Sequence, residues 1–197
     1  MPSHKVLDWR DKISALWHHN ASVWEPQENY GFKSSDTYFA FCAAKDWLQD
    51  TSEALLIHRE KGFSEDSHLA YIEFWGVLQA VFIQQDAISE LHYALTGKRD
   101  FSQGDQSAAW SRVRELRNLA VGHPTKRRGG KEAKSRCVSG REVKSYERIR
   151  LQVFKGTQIQ HQILDLGSML DRYDEDAAKI LESLYSQLKT QLNRETT

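Results

Sequence analysis

The stretch from Ser64 to about Thr96 constrains the fold most. Its centre, LAYIEFWGVLQAVFI, is apolar nearly all round. A helix of that kind cannot lie on a surface with one side in water. It must be central to a bundle or shared with a partner chain. Ser64 is read as its opening and Gly97 as its stop. One stripe, Ile72, Trp75, Gln79, Phe82, Asp86 and Tyr93, mixes polar with aromatic groups. Gln79 and Asp86 stand two helical turns apart on one face.

The rest of the chain supplies partners for such a helix. Val6, Trp9, Ile13, Leu16 and Trp17 repeat at helical spacing, with Ser3 as a candidate N-cap. His18 and His19 end that segment. Adjacent helical residues diverge by roughly 100°, so they make a poor metal pair and suit the C-terminal dipole better. Pro26 and Gly31 mark Asn20–Lys33 as a loop. Ser34–Lys61 reads as a second helix with Phe41, Ala44, Leu48, Thr51 and Leu55 on one face and Gly62 as its stop. Lys98–Gln106 is a linker, after which Asp105 or Ser107 can cap a further helix.

Beyond Thr125 the pattern changes. TKRRGGKEAKSR, residues 125–136, holds six basic residues and one acidic. Tyr146–Phe154 alternates, with Ile149, Leu151 and Val153 against Arg148, Arg150 and Gln152, and Lys155-Gly156 is a turn signal. With Thr157–Leu166, carrying Ile159 and Ile163, it forms a small β-hairpin over about 146–166. Its arginine face suits RNA contact or plain solubility. Ser168 with Asp171 resembles a capping box. Leu170, Ala177, Leu181, Leu184, Leu188 and Leu192 then define a long amphipathic C-terminal helix, to be packed on the bundle or paired with a second copy. The expectation is one mainly α domain over residues 1–197: a helical bundle with a small hairpin and a long final helix.

Charge and cysteine content narrow the function classes. Lys and Arg number 27, as do Asp and Glu, so the formal net charge is zero. Any contact with nucleic acid must therefore be local. Cys42 and Cys137 are the only cysteines, too few for a disulfide framework or a zinc site. No signal core and no membrane-length apolar run occurs, which gives the expectation of a soluble, cytoplasmic protein. No metal motif and no cofactor motif is present.

The chemistry concentrates in RVRELRNLAVGHP, residues 112–124. Wound as a helix, it places Trp110, Val113, Ala120 and Val121 within about 60° of Arg117. A guanidinium amid apolar side chains needs a carboxylate, carbonyls, a cavity or an anionic ligand. Gly122 and Pro124 stop the helix, and His123 stands between them. An ion-paired structural arginine, with Gly-His-Pro as an ordinary stop signal, is the competing account.

Arg117-Asn118-Leu119-Ala120-Val121-Gly122-His123, an arginine and a polar residue followed by a histidine at a helix end, resembles the signature of the HEPN superfamily. The long helix through Leu78–Gly97 also resembles the one preceding that motif. The likeness covers about Ser35–Thr125. It implies a metal-independent endoribonuclease that promotes attack of a ribose 2′-OH on the adjacent phosphate. Arg117, His123 and Asn118 would be its catalytic groups. From the helix pattern, Asp86 or Gln85 faces the Arg117 site in a supporting role, with Arg114, or both are solvated. Nothing of the resemblance carries past Thr125; read from the residues alone, the basic run offers Lys126, Arg127 and Arg128 to a phosphate backbone or is a solvated loop. The resemblance further implies a homodimer with both motifs at the seam, an RNA substrate, and a toxin or phage-defence role with an antitoxin or inhibitor partner. The alternatives are a non-catalytic RNA- or nucleotide-binding helical dimer and a purely structural one.

Overall fold

A computed structural model describes residues 4–20, 32–101, 107–122, 136–138, 142–155 and 158–195. Five α-helices dominate: α1 Lys5–Asn20, α2 Ser35–Lys61, α3 Ser67–Thr96, α4 Ala108–Arg117 and α5 Leu166–Glu195. A π-helical turn, Asn118–Gly122, continues α4. Four short strands lie between it and α5: β1 Arg136–Val138, β2 Val143–Ser145, β3 Arg148–Lys155 and β4 Gln158–Leu164. The expected mainly α architecture with a small sheet and a long final helix is the one observed. No helix among the described residues is long and apolar enough to cross a membrane.

Local chemistry sets most helix ends. Ser34 caps α2 through a reciprocal pair with Thr37, whose hydroxyl accepts from the Ser34 N–H at 3.0 Å. Gly97 ends α3 in the left-handed region at φ 70°, where a side chain would also strike Lys33. Two expected starts move. The opening of α3 is Asp66, whose carboxylate accepts from the His68 and Leu69 N–H groups at 2.9 and 3.0 Å, and not Ser64. The opening of α5 is Asp165, which accepts from the Ser168 N–H at 2.9 Å and its hydroxyl at 2.7 Å. These bonds hold the Asp165 carboxyl below its usual pKa. Asp171, expected in that cap, pairs instead with Arg59 at 2.8 Å. Ser3 lies outside the described residues. Asp174 of α5 accepts from the first N–H groups of α1, on Lys5 and Val6, at 3.0 and 3.1 Å.

Packing is built around α3. Phe74, Val77, Leu78, Val81, Ile88 and Leu91 are buried against α2, α4 and α5. A buried hydrogen bond from Gln84 Nε2 to Ser52 Oγ, 2.9 Å, fixes the α2–α3 register. Every residue expected on the α5 stripe is buried, from Leu170 to Leu192. That face packs on α1, α3 and α4, so the helix is spent within the chain. The stripe Ile72, Trp75, Gln79, Phe82, Asp86 and Tyr93 on α3 turns outward, with Ile72 61% exposed.

The sheet exceeds the expected hairpin. β3 and β4 pair antiparallel from Ile149↔Leu164 to Lys155↔Gln158. The other edge of β3 is shared by β2 at its start and β1 at its end. Val143, Ile149, Leu151 and Val153 are buried on the inner face, as the alternation predicts for β3. The turn after β2 inserts Tyr146 between the sheet and the bundle. Its carbonyl accepts from the Leu166 and Gly167 N–H groups at 2.7 and 3.1 Å.

Burial keeps the Tyr146 phenol protonated by raising its pKa. It meets His58 Nδ1 at 2.6 Å, while His58 Nε2 stands 3.7 Å from Glu73. A phenol donating to Nδ1 leaves the imidazole proton on Nε2. Burial depresses the His58 pKa, and nearby Glu73 offsets this only in part. The unfolded chain therefore binds this proton more readily than the folded one. Its contribution to stability is full above pH 6.5 and is lost as pH falls through the depressed value. Thermal unfolding from pH 8 to pH 5 should show a steeper loss for the wild type than for His58→Gln. Parallel curves would remove His58 from the account.

Candidate functional site

The site grows from the start of α4. Ser107 Oγ accepts from the Trp110 N–H at 3.0 Å and donates to Asp176 of α5 at 2.6 Å. Trp110, 1% exposed, packs between Phe101 and Tyr173. Its carbonyl accepts from Gln85 Nε2 at 3.0 Å, which ties α4 to α3. Val113, Leu116 and Ala120 continue the buried face. Arg117 lies at the margin of that face, half-buried, and not in its middle. Leu116 takes the place the helical wheel gave it.

Arg114 and Arg117 both lean on the Phe82 ring of α3. Their guanidinium carbons lie 4.6 and 4.1 Å from its centroid. The two differ in what neutralises them. Arg114 Nη2 meets Asp86 Oδ1 at 3.1 Å. Arg117 donates from Nε and Nη2 to the Gln79 amide oxygen at 3.2 and 3.0 Å, and from Nη1 to Asn118 Oδ1 at 3.2 Å. Among the described residues no carboxylate pairs with Arg117. A guanidinium has five N–H groups, so one on Nη1 and one on Nη2 have no bond among the described residues. The result is an oriented fork whose charge no described carboxylate compensates, a geometry that fits two oxygens of a phosphate or carboxylate.

The sequence-predicted residues divide accordingly. Arg117, Asn118, Arg114 and Asp86 come together around Phe82. Gln85 does not join them: it is fully buried, bonded to Trp110, and its Oε1 has no partner. The partner of Arg117 is Gln79, from the mixed polar and aromatic stripe of α3. Helices α3 and α4 run antiparallel, so moving forward from Trp110 to Arg117 moves backward from Gln85 to Gln79. Asn118 is exposed and begins the π-helical turn. Its N–H is shared between the Arg114 and Glu115 carbonyls. Wide turns of this kind occur often at functional sites. His123, Lys126, Arg127 and Arg128 lie outside the described residues.

Arg117 has neutral partners and an aromatic face, so its removal deserts no described carboxylate. Arg117→Ala should lower unfolding free energy by no more than about 1 kcal/mol in urea titration. A loss of about 3–5 kcal/mol would instead identify a broken buried ion pair.

Compared with known proteins, the chain matches no family model, no curated protein and no solved structure.

Proposed function

We propose that this chain is a metal-independent endoribonuclease of HEPN type that acts as a homodimer. The carrying observation is the Arg117 fork: two N–H groups without a described partner, no described carboxylate, and a fixed direction set by Phe82 and Gln79. Arg117 binds two non-bridging oxygens of the scissile phosphate and stabilises the charge that builds in the transition state. Asn118, bonded to the same guanidinium, orients the phosphate or the imidazole. His123 follows the π-helical turn in sequence and is the proton-transfer group, suited by its chemistry to neutral pH. The ribose 2′-OH loses its proton, attacks phosphorus, and expels the 5′-oxygen, which takes up a proton. The products are a 2′,3′-cyclic phosphate and a 5′-OH. Such an activity suits a toxin or phage-defence component restrained by an inhibitor protein in the cytoplasm.

The homodimer draws support from α3. Leu69, Ile72, Trp75 and Ile83 are exposed large apolar groups on the helix that holds Phe82 and Gln79. Gly76 lies among them. In a helix interior it costs about 1 kcal/mol relative to alanine. A Cβ added there would meet nothing, so packing within one chain does not require the glycine. A glycine at that position lets a second helix approach closely. A seam along this face brings two Arg117 forks toward one cleft, and a second chain supplies a second histidine for a reaction that moves two protons.

Wild type, Arg117→Ala and His123→Ala should be incubated with total RNA and tRNA in excess EDTA, and the fragment ends analysed. Cleavage by wild type alone, leaving cyclic phosphates, is the expected result; equal degradation by all three would overturn the assignment. Light scattering should give a dimer for wild type and a monomer for Ile72→Asp/Trp75→Asp. An unchanged dimer would exclude the α3 seam.

A further inference from the structure

The outer face of the sheet carries chemistry that the Arg117 site does not use. Lys144 on β2 and Arg148 and Arg150 on β3 are all exposed there. With Glu142, His161 and Ile163 they line a groove of about 360 Å³. Three cations face one carboxylate, and only Arg150 is paired with it, at 3.7 Å. Lys144 and Arg148 have no carboxylate partner among the described residues. In a chain of zero net charge this is a local positive excess.

Register divides the face into two lanes. Arg150 stands opposite Ile163, Gln152 opposite His161, and Phe154 opposite Ile159. The cations occupy the β2–β3 side. Ile163, His161 and Ile159 occupy the β4 side, with the two isoleucines 60% and 56% exposed. Same-face residues on a strand are about 6.8 Å apart, close to the spacing of successive phosphates in an extended nucleic acid strand. The inner face of the same sheet packs on the Arg117 helix, where Leu151 and Val153 line a cleft with Leu116 and Leu119.

We infer that the outer face of the sheet is a binding surface for single-stranded RNA, with phosphates along Lys144, Arg148 and Arg150 and bases over Ile163, His161 and Ile159. This deepens the ribonuclease reading and rests on it for the choice of RNA as the polyanion. The cations of this face supply affinity without base specificity. The apolar lane selects unpaired over duplex RNA, because only unpaired bases can lie flat on it.

The test uses the full chain with Arg117→Ala, to prevent cleavage, and a fluorescent single-stranded RNA read by anisotropy. Adding Lys144→Glu/Arg148→Glu/Arg150→Glu should weaken binding at least about tenfold. It should also flatten the slope of log affinity against log salt by about 2, for three lost phosphate contacts. Lys179→Glu, an exposed change on α5, should alter neither. If the triple variant does not fold by circular dichroism, photocrosslinking of 4-thiouridine RNA replaces it, with crosslinks expected within residues 142–163. Unchanged affinity and slope, or crosslinks confined to other segments, would overturn the proposal. Displacement of RNA by polyglutamate at equal charge concentration would also overturn it, and would assign the face to an acidic protein. The catalytic reading fails separately: if Arg117→Ala still cleaves RNA, the active site lies elsewhere while the binding result stands.

Discussion

The burial of α3 is the constraint on which the rest depends. One face of a helix is satisfied by one neighbour, but α3 is apolar around most of its circumference. It therefore takes α2, α4 and α5 around it, and the sheet reaches it through β2. Even so, the covering is incomplete. Leu69, Ile72, Trp75 and Ile83 stay exposed, and Gly76 lies among them. Burying a large apolar side chain is worth about 1.5–3 kcal/mol, so leaving several exposed along one stripe has a substantial cost.

The same helix decides the electrostatics of the site. Phe82 offers one ring to two guanidinium groups, which brings two positive charges close together. The outer stripe of α3 then supplies unequal partners: a carboxylate for Arg114 and an amide for Arg117. An amide orients a guanidinium as well as a carboxylate does, but it leaves the charge in place. Arg114 thus acts as a strut, held by Asp86, while Arg117 stays available for an anion. Replacing Gln79 with a glutamate would keep the geometry and cancel that availability.

The sequence revealed elements whose periodicity is long and whose chemistry is local. The α5 leucines recur at helical spacing on one face, and all are buried. The alternation of Ile149, Leu151 and Val153 with Arg148, Arg150 and Gln152 carried β3 correctly, because inside and outside alternate with the pleat. β1 and β2, three residues each, left no readable period. They exist because β3 offers an edge, and pairing with a strand downstream is not a local property. Which way α3 faces was equally hidden. A helix apolar all round has no preferred side in sequence, so the mixed stripe could not be assigned to core or surface. Arg117 was found because its charge is anomalous against its neighbours, but its partner was missed. Gln79 becomes its neighbour only through the antiparallel crossing of α3 and α4.

The sheet gains meaning from its position in this arrangement. Its inner face lies on the side of α4 opposite Phe82, across a cleft of about 360 Å³ lined by Leu116, Leu119, Leu151 and Val153. Leu116 and Leu119 face the strands while Arg114 and Arg117 face α3. The clasp of Tyr146 on His58 anchors the sheet's far corner to α2. The direction of the Arg117 fork is set by Phe82 and Gln79 on α3, and so does not depend on what the outer face of the sheet touches.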